Sequence, residues 1–186
     1  MSYDLWGRLT YVLSPQFDIY EQIAGVVNGK VADIGCGTGF GTHLLTRSAQ
    51  YVRGFDIDEK AISFAKRCFE NHAINFEVGS VGDAAERYEG RYDFVVMVDV
   101  IEHIREDSLA IQCCKKLLRK DGTLICSTPN RLSRYRKSKY HIREYSPADL
   151  KGLLSRVFLI SDILDFQMQP IESGYENPII GMCQCA

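Results

Sequence analysis

The sequence of 186 residues contains no long uninterrupted apolar segment. Its longest strongly apolar stretch, Phe94–Ile101, is interrupted by Asp99 and is much shorter than the roughly 20 residues that a membrane-spanning helix needs. The segment Met1–Pro15 carries charges and lacks the apolar core of a secretory signal. We therefore expect a cytoplasmic protein that makes no contact with a membrane.

The chain also lacks an excess of charge of one sign. Its 22 Lys and Arg residues against 24 Asp and Glu leave a formal net charge of -2, so no overall field attracts nucleic acid. A composition with 46% hydrophobic and 25% charged residues is typical of a globular protein. No internal repeat, low-complexity tract or long linker divides the chain, which predicts a single domain over 1–186.

A cysteine pattern for a disulfide framework or a zinc site is missing as well. The seven cysteines are odd in number and lie mostly inside apolar runs, where a thiol packs as a small hydrophobic group. We expect reduced thiols in a reducing compartment. Cys183 and Cys185 have no second Cys or His pair at zinc-finger spacing, so we expect no metal.

The chain does contain apolar strand-like runs that alternate with amphipathic helical runs. This alternation is typical of β–α units around a mostly parallel sheet. The predicted strands are Lys30–Ile34, Tyr51–Asp56, Ile74–Val78, Tyr92–Val98, Thr123–Ser127, Phe158–Gln167 and Pro178–Cys185. The predicted helices extend from the loop 35–41 through Ser48, follow the caps Asp58 and Ser146, and cover roughly 107–119.

The strongest functional signal is the glycine-rich loop after the first strand, Gly35-Cys36-Gly37-Thr38-Gly39. Glycines between a strand and a helix allow a ligand to approach the backbone closely. The loop does not fit the Gly-x-Gly-x-x-Gly dinucleotide pattern, because Phe40 or Thr42 occupies the last position. The Gly-Lys-Ser/Thr of a P-loop is also absent. This spacing indicates a ligand without a pyrophosphate and disfavours a nucleotide-dependent oxidoreductase.

Asp56 closes the second strand, at the edge of the sheet where the glycine loop is expected. A carboxylate in this position can accept hydrogen bonds from both hydroxyls of a ribose. The alternative is that Asp56 caps the next helix. Asp58 already occupies that position, so we favour the ribose.

Four segments in this order resemble the motifs of class I S-adenosylmethionine (SAM)-dependent methyltransferases: Asp33–Gly39, Gly54–Asp58, Tyr92–Ile104 and Leu118–Leu124. The resemblance covers about residues 29–186. It implies an α/β fold, a Rossmann-like three-layer sandwich whose seven-stranded sheet has the order 3-2-1-4-5-7-6 with the last strand antiparallel. It also implies SAM as the cofactor.

The same resemblance implies a set of cofactor-binding residues: Asp33, Gly35, Cys36, Gly37, Gly39, Asp56, Ile57, Ser80, Val81 and Val98. In this family the glycine backbone approaches the methionine part of SAM, and the first acid supports the loop or the amino group through water. Ile57 would pack on the adenine, and Ser80 with Val81 would meet the adenine edge. The family often has an acid where Ser80 stands, and Asp83 is the substitute that we consider.

Candidate catalytic residues follow the fourth strand and the fifth, where the acceptor is expected. They are Asp99, His103 and His141. Either histidine can act as a general base, because imidazole titrates near neutral pH. The alternatives are that His103 is a structural residue of the following helix, and that methyl transfer relies on positioning alone.

An insert at 129–145 concentrates six basic residues against Glu144 alone. It predicts a small anionic acceptor, held by Arg131, Arg143 and Tyr140, because arginine binds phosphate or carboxylate with paired hydrogen bonds. The alternatives are a solvated mobile loop and, because Tyr135 interleaves with the charges, single-stranded RNA. The segment 1–28, with Trp6 and Tyr11, is interpreted as a lid over the cofactor or as core packing.

The leading hypothesis is therefore O-methylation of a small acceptor, sugar-linked or another metabolite. Two segments of the insert, Thr128–Arg131 and Tyr140–Ser146, resemble parts of small-molecule methyltransferases that act on saccharides or related metabolites. The alternatives are methylation of RNA or another macromolecule, and a non-catalytic SAM-binding module. Methylation of a base amino group is disfavoured, because Val98–Ile101 stands where those enzymes carry Asn/Asp-Pro-Pro-Tyr. The oligomeric state is left open.

Overall fold

A computed structural model describes residues 15–134 and 138–185 of the chain. The helices are α1 (Pro15–Ala24), α2 (Phe40–Leu45), α3 (Glu59–Phe69), α4 (Val81–Arg87), α5 (Asp107–Leu117) and α6 (Pro147–Leu154), with a 3₁₀ helix at Ile101–His103. The strands are β1 (Lys30–Ile34), β2 (Tyr51–Asp56), β3 (Ile74–Val78), β4 (Tyr92–Val98), β5 (Leu118–Thr128), β6 (Ile160–Leu164) and β7 (Ile179–Gln184).

The seven strands form one sheet in the order β3-β2-β1-β4-β5-β7-β6. Strands β1 to β5 pair in parallel, and β7 runs antiparallel between β5 and β6. Parallel strands need helical crossovers, which is why helices separate the first five strands. The predicted fold, strand order and antiparallel last strand are confirmed.

Both faces of the sheet are covered by helices, which makes three layers. In β4, Val95 and Met97 pack with α4, α5 and α6, whereas Val96 and Val98 pack with α1 and α2 on the other face. All four side chains are buried. A strand buried on both faces reads as a continuous apolar run, and this is the pattern of β4 in the sequence.

Local signals in the sequence set several helix starts. The side chain of Asp58 accepts hydrogen bonds from the backbone N–H groups of Lys60 and Ala61 at the start of α3. Ser146 and Asp149 form a reciprocal capping box at the start of α6, with Pro147 in the first turn. Such caps satisfy N–H groups that have no partner within the helix, so they are readable from a few adjacent residues.

Several predicted boundaries of helices and strands were wrong by a few residues. Helix α2 ends at Leu45 instead of Ser48, because the backbone N–H groups of residues 46–48 donate to carbonyls three positions earlier in a tightened turn. Helix α5 ends at Leu117, and β5 begins at once, not at Thr123. The predicted turn at Asp121 is a left-handed residue within an irregularity of β5, where the pairing with β4 shifts register. Strands β6 and β7 are shorter than predicted.

All seven cysteines are free, and five of them are buried. Cys183 lies on β7 with its side chain in the core formed with α5 and α6. Burial raises the pKa of this thiol to about 12, so it packs as an uncharged group. Among the described residues, no helix has the length and apolar character required to cross a membrane.

Candidate functional site

A cavity of about 560 Å³ lies at the carboxyl ends of β1 to β4. It is lined by Ile34, Gly35, Phe55, Asp56, Ile57, Gly79, Ser80, Val81, Asp99, Val100, His103 and Ile104. Its volume is in the range of small-molecule sites, which is about 300–1,000 Å³. Ligands of open α/β sheets bind at this edge, because the loops after neighbouring strands meet there.

Gly35 of the glycine loop lines the cavity, and two glycines of this loop are required for physical reasons. Gly35 has φ 73°, and an added Cβ would overlap the side chain of Val100. Gly37 has φ 53°, and a Cβ added there would meet no atom within 4 Å. Left-handed φ values favour glycine, and the open space beside Gly37 leaves its backbone accessible to a ligand.

Asp56 joins the glycine loop to the end of β2. Its Oδ2 accepts a hydrogen bond of 2.8 Å from the backbone N–H of Gly37, and its Oδ1 accepts one of 2.9 Å from that of Asp58. A carboxylate has about four acceptor positions, so two remain for a ligand. Asp58, and not Asp56, caps α3. Asp56 thus lines the cavity with acceptor positions to spare, and its predicted role toward a ribose stays a prediction.

Ile57 and Ser80 give the next part of the cavity wall one apolar and one polar side chain. The side chain of Ile57 is 77% exposed, an unusual state for isoleucine, and it borders the cavity. Ser80 also borders it, but its hydroxyl belongs to a capping box with Asp83 at the start of α4. Asp83 is not among the residues that line the cavity, and its Oδ2 accepts hydrogen bonds from the hydroxyl and the backbone N–H of Ser80, so its role as a substitute acid stays a prediction.

Four other predicted cofactor residues do not line the cavity. Asp33 is fully buried and accepts hydrogen bonds from the hydroxyls of Tyr20 (2.9 Å) and Thr42 (2.6 Å), which tie β1 to α1 and α2. Burial raises the pKa of Asp33 to about 6. Cys36 packs against α3 and β3, and Val98 lies in the core with α1. Gly39 caps the start of α2.

At the opposite end of the cavity, Asp99 follows β4 with φ 52°. Its carboxylate accepts hydrogen bonds from Gln16 Nε2 (2.9 Å) and from the Ser127 hydroxyl (3.2 Å). Burial raises the pKa of Asp99, and these two hydrogen bonds partly offset that effect. The side chain is therefore held in one orientation at the cavity surface.

Beside Asp99, three titratable side chains meet. Glu102 is 1% exposed, and its Oε2 accepts a 3.0 Å hydrogen bond from the Thr128 hydroxyl. The Nε2 atom of His103 lies 4.0 Å from Glu102 Oε1, and the rings of His103 and His141 are 5.0 Å apart. Burial raises the pKa of Glu102 to about 7, and the charge of Asp99 contributes. The structure thus brings together the two predicted histidines around a residue that was not predicted.

The backbone of the insert forms hydrogen bonds with this cluster. The N–H groups of Ile142 and Arg143 both donate to the carbonyl of Glu102, at 2.9 and 3.2 Å. Asn130 and Tyr145 pair as an isolated β-bridge, which closes the base of the insert. Tyr140 is exposed, and its carbonyl lies 3.1 Å from His103 Nδ1. Residues 135–137, near the centre of the basic insert, lie outside the described residues.

Arg131 and Arg143, which we expected to hold an anionic acceptor, instead pair with carboxylates of this chain. Arg131 binds Asp149 at 2.9 Å, and Arg143 binds Asp107. Both arginines line a second cavity of about 520 Å³, and none of its described lining residues also lines the first. The sequence showed the positive charge of the insert but not its partners, which lie at the start of α5 and in α6.

The predicted N-terminal lid is described only from residue 15, so Trp6 and Tyr11 lie outside the described residues. Within α1, Ile19 and Ile23 are buried in the core. Gln16, however, reaches Asp99 at the cavity. The described part of the segment therefore packs as core and contributes one polar side chain to the site.

Residues 26–155 match the protein family described as a methyltransferase domain. The chain belongs to the class I SAM-dependent methyltransferases. SAM, the cofactor predicted from the sequence, is the cofactor of this family. A crystal structure of a TehB-like SAM-dependent methyltransferase from Corynebacterium glutamicum has the same fold, with a TM-score of 0.74 at 19% identity, covering 97% of this methyltransferase and 94% of that chain.

Two curated relatives resemble the methyltransferase more closely in sequence. It is 35% identical over 113 residues to a ubiquinone biosynthesis O-methyltransferase from Cupriavidus pinatubonensis, which covers 60% of this chain and 45% of that protein. It is 29% identical over 118 residues to the protein of the same name from Aromatoleum aromaticum, with coverages of 62% and 50%. The chain spans about half the length of the curated relatives it matches.

Glu102 and Gln16 were missed as site residues of the methyltransferase. Glu102 stands next to His103 in a segment that resembles a family motif, and an acid beside a histidine within an apolar stretch was the available signal. Gln16 carries no signal, because a glutamine in an amphipathic helix is ordinarily a solvent-exposed residue. Its position depends on how α1 packs on the sheet.

Proposed function

We propose that this methyltransferase transfers a methyl group to a hydroxyl oxygen of a small molecule. The observation that carries the proposal is the single cavity that extends from Asp56 and Ile57 to Asp99 and His103. One end of it offers a carboxylate and apolar surface suited to a nucleoside. The other end offers a carboxylate and an imidazole suited to an acceptor with an exchangeable proton.

Asp56, Ile57 and Gly37 form the cofactor end in this proposal. The free acceptor positions of Asp56 bind the two ribose hydroxyls, and the exposed side chain of Ile57 covers the adenine. The open space at Gly37 admits the methionine part. When bound, SAM supplies an electrophilic methyl carbon on a sulfonium.

Asp99 is the proton acceptor that we propose for the reaction. The acceptor oxygen forms a bond to the methyl carbon as the carbon–sulfur bond breaks, and the bonding pair stays on sulfur as a neutral thioether. The hydroxyl proton passes to the carboxylate of Asp99. Gln16 and Ser127 hold this carboxylate in place, and such positioning supplies much of the acceleration in an in-line displacement.

The choice of oxygen over nitrogen is supported by the relatives, which are named as O-methyltransferases. For the charge of the acceptor, Lys139 is a better candidate than Arg131 or Arg143. Its Nζ lies 5.1 Å from the centre of the Tyr140 ring, and the Tyr140 carbonyl is next to His103. An anionic acceptor, sugar-linked or aromatic, would meet Tyr140 and Lys139 at the rim.

A matched acceptor panel tests the proposal. Hydroxylated sugar acids, sugar phosphates and hydroxylated benzoates are compared with analogues in which the hydroxyl is replaced by an amine or by hydrogen, and with uncharged esters. Methylated product and S-adenosylhomocysteine are measured by mass spectrometry. We expect methylation of hydroxyl compounds only. Methylation of the amine analogues, with no methylation of the hydroxyl compounds, would contradict the proposed function.

An Asp99→Asn variant tests the proton acceptor. We expect kcat/KM to fall by about 100- to 10,000-fold, the usual contribution of a general base, with S-adenosylhomocysteine affinity unchanged. Asp162→Asn is the control, because Asp162 is an exposed aspartate on β6, away from the cavity. Equal activity of the two variants would remove Asp99 from the mechanism.

A further inference from the structure

The cluster of Glu102, His103 and His141 has the composition and spacing of a metal site. One potential ligand atom from each of the three residues lies within 4.8 Å of the other two. The set comprises one carboxylate oxygen and two imidazole nitrogens, a combination that binds divalent transition metals. Two of the residues come from the 3₁₀ helix after β4, and the third comes from the insert.

Glu102 supplies an observation that points to a missing ligand. Its side chain is 1% exposed, and the Oε1 atom has no hydrogen-bond partner among the described residues. The other oxygen is bound to the Thr128 hydroxyl, which fixes the direction in which Oε1 points. A buried carboxylate oxygen without a partner costs several kcal/mol unless a donor or a cation compensates it.

The orientation of His103 agrees with this role. Its Nδ1 lies 3.1 Å from the carbonyl of Tyr140, and a carbonyl only accepts hydrogen bonds. Nδ1 therefore carries a proton, and in the neutral ring the lone pair lies on Nε2, the atom 4.0 Å from Glu102 Oε1. Metal-binding histidines ordinarily donate their second N–H to a carbonyl or a carboxylate in this way.

His141 completes the set with a similar outer partner. Its Nδ1 is buried and makes no hydrogen bond to a described residue, and Glu144 Oε1 lies 3.6 Å from it. The backbone bonds from Ile142 and Arg143 to the Glu102 carbonyl hold His141 against the 3₁₀ helix. Both histidines therefore have an oxygen of this chain near Nδ1, and we assign Nε2 of each ring as the ligand atom.

We propose that Glu102, His103 and His141 bind one divalent transition-metal cation, with Zn²⁺ as the representative ion. Three protein ligands leave at least one coordination position open, as in catalytic zinc sites. Metal–ligand distances are about 2.0–2.2 Å. The three ligand atoms, which now lie within 4.8 Å of one another, would therefore move slightly closer together around the ion. The side chain of His103 is 43% exposed, whereas those of Glu102 and His141 are largely buried, so His103 makes most of this movement.

The location of the cluster suits an ion that would bind the acceptor hydroxyl, and this role rests on the proposed function. His103 lines the same cavity as Asp99, so an ion held by its imidazole would lie beside the acceptor end and could polarise an acceptor hydroxyl there. A hydroxyl bound there would have a lowered pKa. Its proton still passes to Asp99, and the bonds to carbon and sulfur change as described above. The acceptor class is therefore a compound whose hydroxyl oxygen can coordinate a divalent cation.

Metal titration of the full chain tests the site without SAM or acceptor. Chelator-treated protein is titrated with Zn²⁺ alone by calorimetry and with Co²⁺ alone by visible absorption. We expect one ion per chain, and a loss of affinity of roughly 10- to 100-fold or more in Glu102→Gln, His103→Gln and His141→Gln. His72→Gln is the matched control, because His72 is exposed and remote from the cluster. Circular dichroism of every variant checks folding, and the exposure of His103 keeps at least that variant informative.

The outcomes separate the two proposals. If wild-type protein binds Zn²⁺ and Co²⁺ no more tightly than the histidine variants, the metal site is overturned, whatever the acceptor panel shows. If the ions bind with the expected dependence on the three residues and the panel yields no methylated hydroxyl, the proposed function fails and the site stands. If the chelated enzyme methylates hydroxyls at the full rate, the coordinating role of the ion is overturned.

Discussion

The imidazole rings of His103 and His141 meet edge to face, with their centroids 5.0 Å apart. His103 belongs to the 3₁₀ helix after β4, and His141 belongs to the insert after β5. The contact forms because the backbone of the insert donates two hydrogen bonds to the carbonyl of Glu102. The insert is thereby attached to the cavity through Glu102, His103 and His141, whereas the side chains of Arg131 and Arg143 pair with Asp149 and Asp107.

Replacing Asp56 should weaken cofactor binding without unfolding the chain. Asp56→Asn removes the charge and one acceptor, so S-adenosylhomocysteine should bind about 1–3 kcal/mol more weakly by calorimetry. Asp58→Ala is the control, since it removes the cap of α3 and should lower the free energy of unfolding by about 1 kcal/mol while leaving the affinity unchanged. Equal affinities in wild type and Asp56→Asn would exclude Asp56 from the cofactor site.

Gly37 and Gly90 form a matched pair of glycines. Both have positive φ, and a Cβ at either would meet no atom within 4 Å. Gly37→Ala and Gly90→Ala should each cost about 1–2 kcal/mol of stability, because of the left-handed backbone. Only Gly37→Ala should also weaken S-adenosylhomocysteine binding, because its methyl group enters the proposed cofactor space. A similar loss of affinity in both variants would mean that backbone strain, not occupied space, is responsible.

The buried carboxyl group of Asp33 should make stability depend on pH. Its folded-state pKa of about 6 lies above its ordinary value of 3.8, so the folded chain retains a proton that the unfolded chain has lost. The free energy of unfolding should therefore fall as pH rises from about 4 to about 6, by up to about 3 kcal/mol. Urea denaturation of wild type and Asp33→Asn across this range isolates the effect. A constant difference between the two proteins would show that Asp33 does not titrate there.

The hydroxyl of Tyr145 should contribute to the stability of the insert. Tyr145 is buried, and its hydroxyl donates a 2.7 Å hydrogen bond to Asp107, the carboxylate that also binds Arg143. Tyr145→Phe should lower the free energy of unfolding by about 1.5–3 kcal/mol, as for a hydrogen bond to a charged group. Tyr175→Phe, at an exposed position, should change it by less than about 0.5 kcal/mol. Matching melting curves for the two variants would contradict the assignment.

Much of the fold was predictable because its signals are local or periodic. The buried strand β4 reads as an unbroken apolar run, and Asp58 and Ser146 are caps whose partners lie within three residues. The last turn of α2 and the start of β5 could not be predicted from such local or periodic signals. A tightened last turn and a bulge at Asp121 depend on how the chain meets its neighbours, and residue preferences do not specify this.

The residues at the cofactor end of the cavity were more predictable than those at the acceptor end, because their signals are local in the sequence. The glycine loop and Asp56 are adjacent to the strands that carry them, and strand order brings their ends together. Ser80 shows the limit of that reasoning, since its hydroxyl serves a capping box with Asp83. The predicted roles of the cofactor residues remain predictions for the ligand titrations above.

The sequence by itself determined the alternation of strands and helices, the glycine loop that follows β1, and the acid at the end of β2. Each of these depends on side-chain periodicity or on neighbours within a few positions. Only the tertiary structure decided that Arg131 and Arg143 pair with Asp149 and Asp107, and that His141 joins Glu102 and His103. Charge and residue type show which side chains can form such contacts. The choice among possible partners is made by the packing of segments distant in the sequence, because the folded chain decides which carboxylate lies within reach of each arginine.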